Sequence, residues 1–235
     1  MLKKLLLSII LSVCLGVSSA FAIPALQLYI EGADYDTNTE TWVLGDVSPL
    51  TLWVMGNVGQ VGTIEDVRLV LAYDSSESGS FNFTPTTTSL LTDPSTPSTP
   101  SFLTSGVGNK PIIGVNPQNG NNQYLSPHSI YGSGTSWETY SLGDFTLTDS
   151  PIGDYSPGYC PDDSCSYPSN GQINAYSVSI SGYSWVHFDA FGYNGPVAPF
   201  SHDAEDPPPT TPEPASLLLL GSGLIGLASL RRRNS

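Results

Sequence analysis

From residue 24 onward the chain is a succession of short apolar and β-rich runs, punctuated by Gly, Pro, Asn, Asp and Ser, and no run sustains a helical period. Residues 25–31 set Leu26, Leu28 and Ile30 on one face and Gln27 and Tyr29 on the other. Residues 50–57 alternate Leu50, Leu52 and Val54 against Thr51, Trp53 and Met55. Residues 64–73 place Val67, Leu69, Leu71 and Tyr73 opposite Asp66, Arg68 and Ala72, and residues 41–44 form a shorter candidate strand. The pattern resumes over 111–115, 123–131 and 137–148, the last interrupted by Gly143 and Asp144 as a bulge or kink would be. Residues 172–180 and 184–191 predict a hairpin about 181–183, with Val186, Phe188 and Ala190 facing one way.

These elements predict an all-β fold, an antiparallel β-sandwich of nine or ten strands that is jelly-roll-like, with a barrel as the alternative. Residues 84–110 are rich in proline, which cannot donate to a ladder, and predict a long surface loop with apolar contacts from Leu90, Leu91, Phe102 and Leu103. The sandwich is expected over residues 23–200. An acidic, proline-rich linker follows at 201–211, which as polyproline II would span up to ~34 Å at about 3.1 Å per residue.

Both ends carry targeting patterns. Residues 1–22 combine a basic start, an apolar stretch and the small-residue site Ala20-Phe21-Ala22, the pattern of a secretory signal peptide cut after Ala22. A short transmembrane anchor is the alternative. At the other end, 212–235, Pro212-Glu213-Pro214 precedes an uncharged apolar run at 215–230 and the cluster Arg231-Arg232-Arg233. As a single hydrophobic helix those 16 residues would reach about 24 Å, short of the ~30 Å hydrocarbon core, so the span is minimal and reads as temporary. The arginines are expected to stay cytoplasmic. This order of parts resembles the PEP-CTERM sorting signal, the tripartite tail recognised by exosortase in Gram-negative bacteria that make extracellular polysaccharide. The resemblance implies signal peptidase and exosortase as partners and a transient stay in the inner membrane.

Charge narrows the remaining possibilities. Between the two end segments lie 20 of the 21 acidic residues but only two basic ones, Arg68 and Lys110. A surface this acidic repels nucleic acid and anionic lipid, leaving cations and neutral glycans as plausible company. Cys160 and Cys165, in a turn-rich stretch, suit a disulfide in an oxidising compartment better than a metal site, which would want further cysteines or a nearby histidine. Cys14 falls in the signal peptide as filler, because Val13 is too bulky for a lipoprotein processing site.

Several phrases within residues 24–203, among them Leu52-Trp53-Val54-Met55-Gly56-Asn57, Gly106-Val107-Gly108-Asn109-Lys110-Pro111, Leu142-Gly143-Asp144-Phe145 and Val186-His187-Phe188-Asp189, resemble the exported proteins called choice-of-anchor N. That resemblance implies surface export and leaves biochemical activity undefined.

Candidate chemistry is sparse. Asp34, Asp36, Asn38 and Glu40 alternate like the start of a calcium loop, but the glycine and the terminal bidentate acid of an EF-hand are replaced by Thr39 and Gly45. The expectation is no cofactor and no metal, with calcium at these four residues as the alternative. Asp203, Glu205 and Asp206 read as linker charge. No nucleophile elbow, zinc-protease or phosphate-loop motif is present. The histidines are His128, His187 and His202; His187 and Asp189 share one strand face at i and i+2. Trp42, Trp53, Trp137 and Trp185 lie on β-rich segments, where they serve either the core or sugar stacking.

The sequence thus predicts a non-enzymatic, exported cell-surface or matrix protein with a structural or adhesive role in an exopolysaccharide setting. Matrix polysaccharide is the candidate partner. A carbohydrate-binding module or carbohydrate-active enzyme is the alternative.

Overall fold

The computed structural model describes residues 23–36, 38–39, 41–45, 48–87, 97–125, 130–155, 167–199 and 203–206. The first strands are β1 (Leu26–Ile30), β2 (Asp34–Asp36), β3 (Thr41–Val43), β4 (Leu50–Gly56) and, after a single helical turn α1 (Val58–Val61), β5 (Ile64–Asp74). Then come β6 (Ser80–Thr86), β7 (Ser101–Val107), β8 (Ile112–Val115), β9 (Asn122–Tyr124) and β10 (Thr135–Phe145). The last are β11 (Ser150–Ile152), β12 (Ser169–Ser181), β13 (Val186–Gly192) and β14 (Asp203–Asp206).

Two sheets organise these strands. One runs β1-β4-β12-β11, with β6 also pairing along the second half of β12. The other runs β2-β3-β14-β13-β5-β10-β7, antiparallel throughout except where β14 lies parallel to β3. The hairpin β8-β9 stands apart.

The two sheets share one apolar cluster, with Leu28, Leu52, Tyr176 and Val178 from the first and Leu69, Leu71, Phe188 and Ala190 from the second. A second, smaller cluster lies on the other face of the seven-stranded sheet. Strand alternation sends Val70, Ala72, Trp137 and Phe191 there, beneath Leu125 and Tyr131. This explains the unbroken apolar run Leu69-Val70-Leu71-Ala72 in β5: covered on both faces, the strand has no side that needs to be polar.

The clearest alternating segments form strands close to where the pattern places them. Ser141, Gly143 and Phe145 pair with Arg68, Val67 and Ile64 through register shifts, so the interruption in β10 is a bulge. Gly143 there has φ 78°, which a β-carbon disfavours.

Four expectations are corrected. Residues 101–107, assigned to a loop, form edge strand β7 on β10. The strand has no proline and is solvent-facing nearly throughout, so it lacks the buried alternation that betrays most strands. Residues 172–180 and 184–191 are strands but make no hairpin, because β12 and β13 belong to different sheets and the connection crosses between them. Of the described residues within 123–131, only those up to Tyr124 are in a strand, β9.

The fourth correction concerns the linker. Residues 203–206 form β14, inserted between β13 and β3, so the sandwich extends beyond residue 200. Ala204 is fully buried in the main cluster, and Leu44 N–H donates to the Glu205 carbonyl at 3.1 Å. Four residues whose composition reads as solvated are held because backbone bonds occupy both edges and Glu205 meets a buried imidazole.

Candidate functional site

The buried polar centre of the seven-stranded sheet comes first. His187 and Glu205 are register partners across β13 and β14, and His187 Nδ1 lies 2.7 Å from Glu205 Oε1. On the same face of β13, Asp189 Oδ2 is 3.4 Å from His187 Nε2 and accepts a hydrogen bond from the Tyr131 hydroxyl. Glu205 meets the imidazole at Nδ1 within hydrogen-bond distance, while Asp189 stands near Nε2 without a hydrogen bond to it. His187, Asp189 and Glu205 are 2, 1 and 5 % exposed, which denies a substrate direct access to them. The imidazole stands between the two carboxylates, so the three do not converge on a common point as metal ligands must. Among the described residues no group of three or more His, Cys, Asp and Glu side chains is arranged to hold a metal ion. The arrangement is a clasp between strands.

A second polar motif ties β5 to β10. Glu138 accepts hydrogen bonds from both Tyr73 and Tyr140. Burial first, and then the neighbouring Glu138 carboxylate, push both phenols far above their ordinary range. Tyr176 is pushed up by burial against a smaller opposing effect of its bond to Asn174.

Where it is described, the calcium-like segment is the short strand β2 followed by an ordinary turn. Asp36 Oδ1 accepts from the Asn38 backbone N–H at 2.7 Å and from its side-chain amide at 3.0 Å, an Asx turn, while Asp34 is exposed. Glu40, Ala20, Ala22, Cys160, Cys165, His128, His202, Pro212, Glu213, Pro214, Arg231, Arg232 and Arg233 lie outside the described residues. So does the expected C-terminal helix.

The tryptophans serve packing. Trp53 is fully buried and donates to Glu31 at 3.1 Å; Trp42 donates to the Tyr155 carbonyl at 3.2 Å. Both stand edge-on to Tyr29. Three of the four indoles are buried, so the tryptophans provide no exposed sugar platform of the expected kind.

A cleft that sequence reading missed opens beside the third of them. It has a volume of about 390 Å³ and lies between the outer strands β10 and β7, the β8-β9 hairpin and the turn after β13. The floor is Trp137, 6 % exposed, whose indole N–H donates to the Asn109 carbonyl at 2.9 Å and reaches its side-chain oxygen at 3.2 Å. Gly106 lets the ring lie against β7, since a β-carbon there would stand 2.3 Å from Trp137 Cζ2.

The opposite wall is pinned by Asn194. Its backbone N–H donates to the Ile113 carbonyl at 2.8 Å, and its side-chain oxygen accepts from Val115 N–H at 2.7 Å. The Arg68 guanidinium lies 4.2 Å from the Tyr193 ring centroid and is paired with Asp66 at 2.6 Å. Asp66 holds φ 44°, and its backbone N–H donates to Asp144 Oδ1 at 2.8 Å. Lys110 and the half-exposed Tyr124 complete the cleft on the hairpin side. Arg68 and Lys110 were visible in the sequence as the only two cations between the end segments. Their convergence depends on strand pairings that single-sequence patterns do not encode.

The described residues therefore define a β-rich domain in mixed and antiparallel sheets with almost no helix, and none of their helices is long and apolar enough to cross a membrane. Residues 210–233 match the PEP-CTERM protein-sorting motif. This match supports an exported protein of the exosortase-substrate class, anchored transiently in the membrane before processing. No curated protein and no solved structure matches the chain.

Proposed function

We propose that the chain is a cell-surface or extracellular-matrix protein of a Gram-negative bacterium, of the choice-of-anchor N type, with an adhesive or structural role among matrix polysaccharides. The observation that carries this reading is the sorting motif at 210–233, which begins four residues after the last residue of β14. Signal peptidase removes residues 1–22, exosortase acts at the C-terminal signal, and the β-sandwich is the delivered cargo. The role is non-catalytic: the most acid-base-like group, His187 with Asp189 and Glu205, is sealed from solvent and joins strands. The open cleft beside Trp137 favours glycan binding as the form that adhesion takes.

Two measurements test the reading. The mass of the protein recovered outside the cell is expected to lack residues 1–22 and the apolar run 215–230. Recovery with that run still attached would make the tail a permanent anchor. Extracted matrix polysaccharide is expected to retain the protein on an affinity gel, and free passage through the gel would remove the adhesive role.

A further inference from the structure

We infer that the cleft beside Trp137 is a binding site for acidic saccharides, with Lys110 as the anchor for a uronic acid carboxylate. This deepens the glycan-binding reading above and rests on it for its biological setting. The chemistry itself is read from the cleft.

The charge distribution is the first argument. The segment between residues 23 and 211 holds 20 acidic side chains and two basic ones. Both basic residues line this cleft, and none of the acids among the described residues does. At physiological ionic strength the Debye length is about 8 Å, so a small ligand inside the cleft is governed by its lining more than by the distant acidic surface.

The two cations are not equivalent. Arg68 is neutralised by Asp66 and its guanidinium plane rests on Tyr193, so it supplies donors in a fixed orientation. Lys110 has no ion pair among the described residues. Its place in the chain is set by the neighbouring Asn109, which Trp137 grips through the indole N–H. A compact ammonium on a flexible stem, held at the edge of a cleft, is suited to a carboxylate.

The rest of the lining suits a polyol. The Thr104 hydroxyl and the Asn109 side chain offer donors and acceptors, while Tyr124, 53 % exposed, presents a ring at the rim for stacking on a sugar face. The volume of about 390 Å³ is within the range of small-molecule pockets.

The test uses the purified full chain and titration calorimetry with a galacturonic acid trisaccharide, its neutral galactose counterpart and inorganic phosphate. The trisaccharide is expected to bind, the neutral sugar to bind at least about tenfold more weakly, as loss of a charge-assisted contact implies, and phosphate not to compete. Lys110→Gln should weaken trisaccharide binding about tenfold and Lys110→Arg should restore most of it. Tyr124→Ala, an exposed position, should weaken binding without lowering the melting temperature.

Equal binding of acidic and neutral sugars, displacement by phosphate, or indifference to Lys110→Gln in a protein with unchanged melting would each overturn the assignment. If extracted matrix polysaccharide retains wild type and Lys110→Gln alike, adhesion stands and this cleft is not its site. If the trisaccharide binds through Lys110 but no matrix polysaccharide is retained, the cleft assignment stands and the matrix role falls.

Discussion

His187 and Glu205, 18 residues apart in sequence, meet at 2.7 Å across neighbouring strands in a part of the fold that solvent barely reaches. Removing the Glu205 carboxylate leaves the buried His187 ring nitrogen without that partner, at a cost of about 1–3 kcal/mol. Glu205→Ala is therefore expected to destabilise the full chain by about that amount in urea denaturation. Hydrogen exchange should also quicken at β14 and at its parallel neighbour β3. Loss of stability with β14 still protected would show that Glu205 contributes through some other contact.

Alkaline pH should unfold the domain cooperatively. Tyr73 and Tyr140 hold their protons more tightly in the fold than in the unfolded chain, because burial and then the Glu138 carboxylate disfavour phenolate. Burial alone dominates for Tyr176. A raised folded pKa gives stability that is complete below the ordinary tyrosine value of about 10 and is lost as pH rises above it. Ultraviolet absorbance should register these phenolates only as the fold is lost. With Glu138→Gln, Tyr73 and Tyr140 should ionise at lower pH, while Tyr176 should not respond.

Calcium followed by chelator should leave the melting temperature unchanged. Asp36 Oδ1 is engaged by the Asn38 backbone and side-chain amides, so binding a cation there would require breaking the turn. A reproducible upward shift with calcium, reversed by EDTA, would establish the alternative at Asp34, Asp36, Asn38 and Glu40.

Gly106→Ala tests the construction of the cleft floor. Its new methyl would stand 2.3 Å from Trp137 Cζ2, and displacing a buried indole held by two bonds to Asn109 costs about 1–3 kcal/mol. The expected signature is a lower melting temperature together with altered tryptophan fluorescence. Wild-type values for both would mean that the ring can shift freely.

Sequence pattern located strands well where one physical signal dominated. Leu50, Leu52 and Val54 alternate with polar or aromatic residues, and β4 forms there; Gly143 interrupts a strand, and a bulge forms there. The shared face of His187 and Asp189 follows from the two-residue period alone. Three features depended on partners distant in sequence. Nothing in Ser101-Phe102-Leu103 marks an edge strand, because its stabilisation comes from the β10 ladder. The cleft exists only because β5, β10 and the β8-β9 hairpin converge. Glu205 lies within an acidic phrase running into three prolines, where composition suggests solvent; its histidine is on another strand.

The position of β14 also predicts where the folded unit ends. A chain stopped at residue 200, where the apolar pattern fades, would lack the strand that separates β3 from β13 in the seven-stranded order. Three consequences follow together. His187 loses Glu205, the main cluster loses the fully buried Ala204, and β3 and β13 each lose a ladder partner. Loss of the His187–Glu205 contact alone is worth about 1–3 kcal/mol, against the 5–15 kcal/mol that stabilises a typical domain. Residues 23–211 are therefore expected to melt cooperatively, whereas residues 23–200 should melt far lower or remain partly unfolded. Equal urea midpoints for the two would mean that β14 is an accessory strand. A large difference would place the end of the folded domain at Asp206 and leave only residues 207–211 before Pro212. Those five residues span at most about 16 Å as polyproline II, so the sorting motif would be presented close beneath the sandwich.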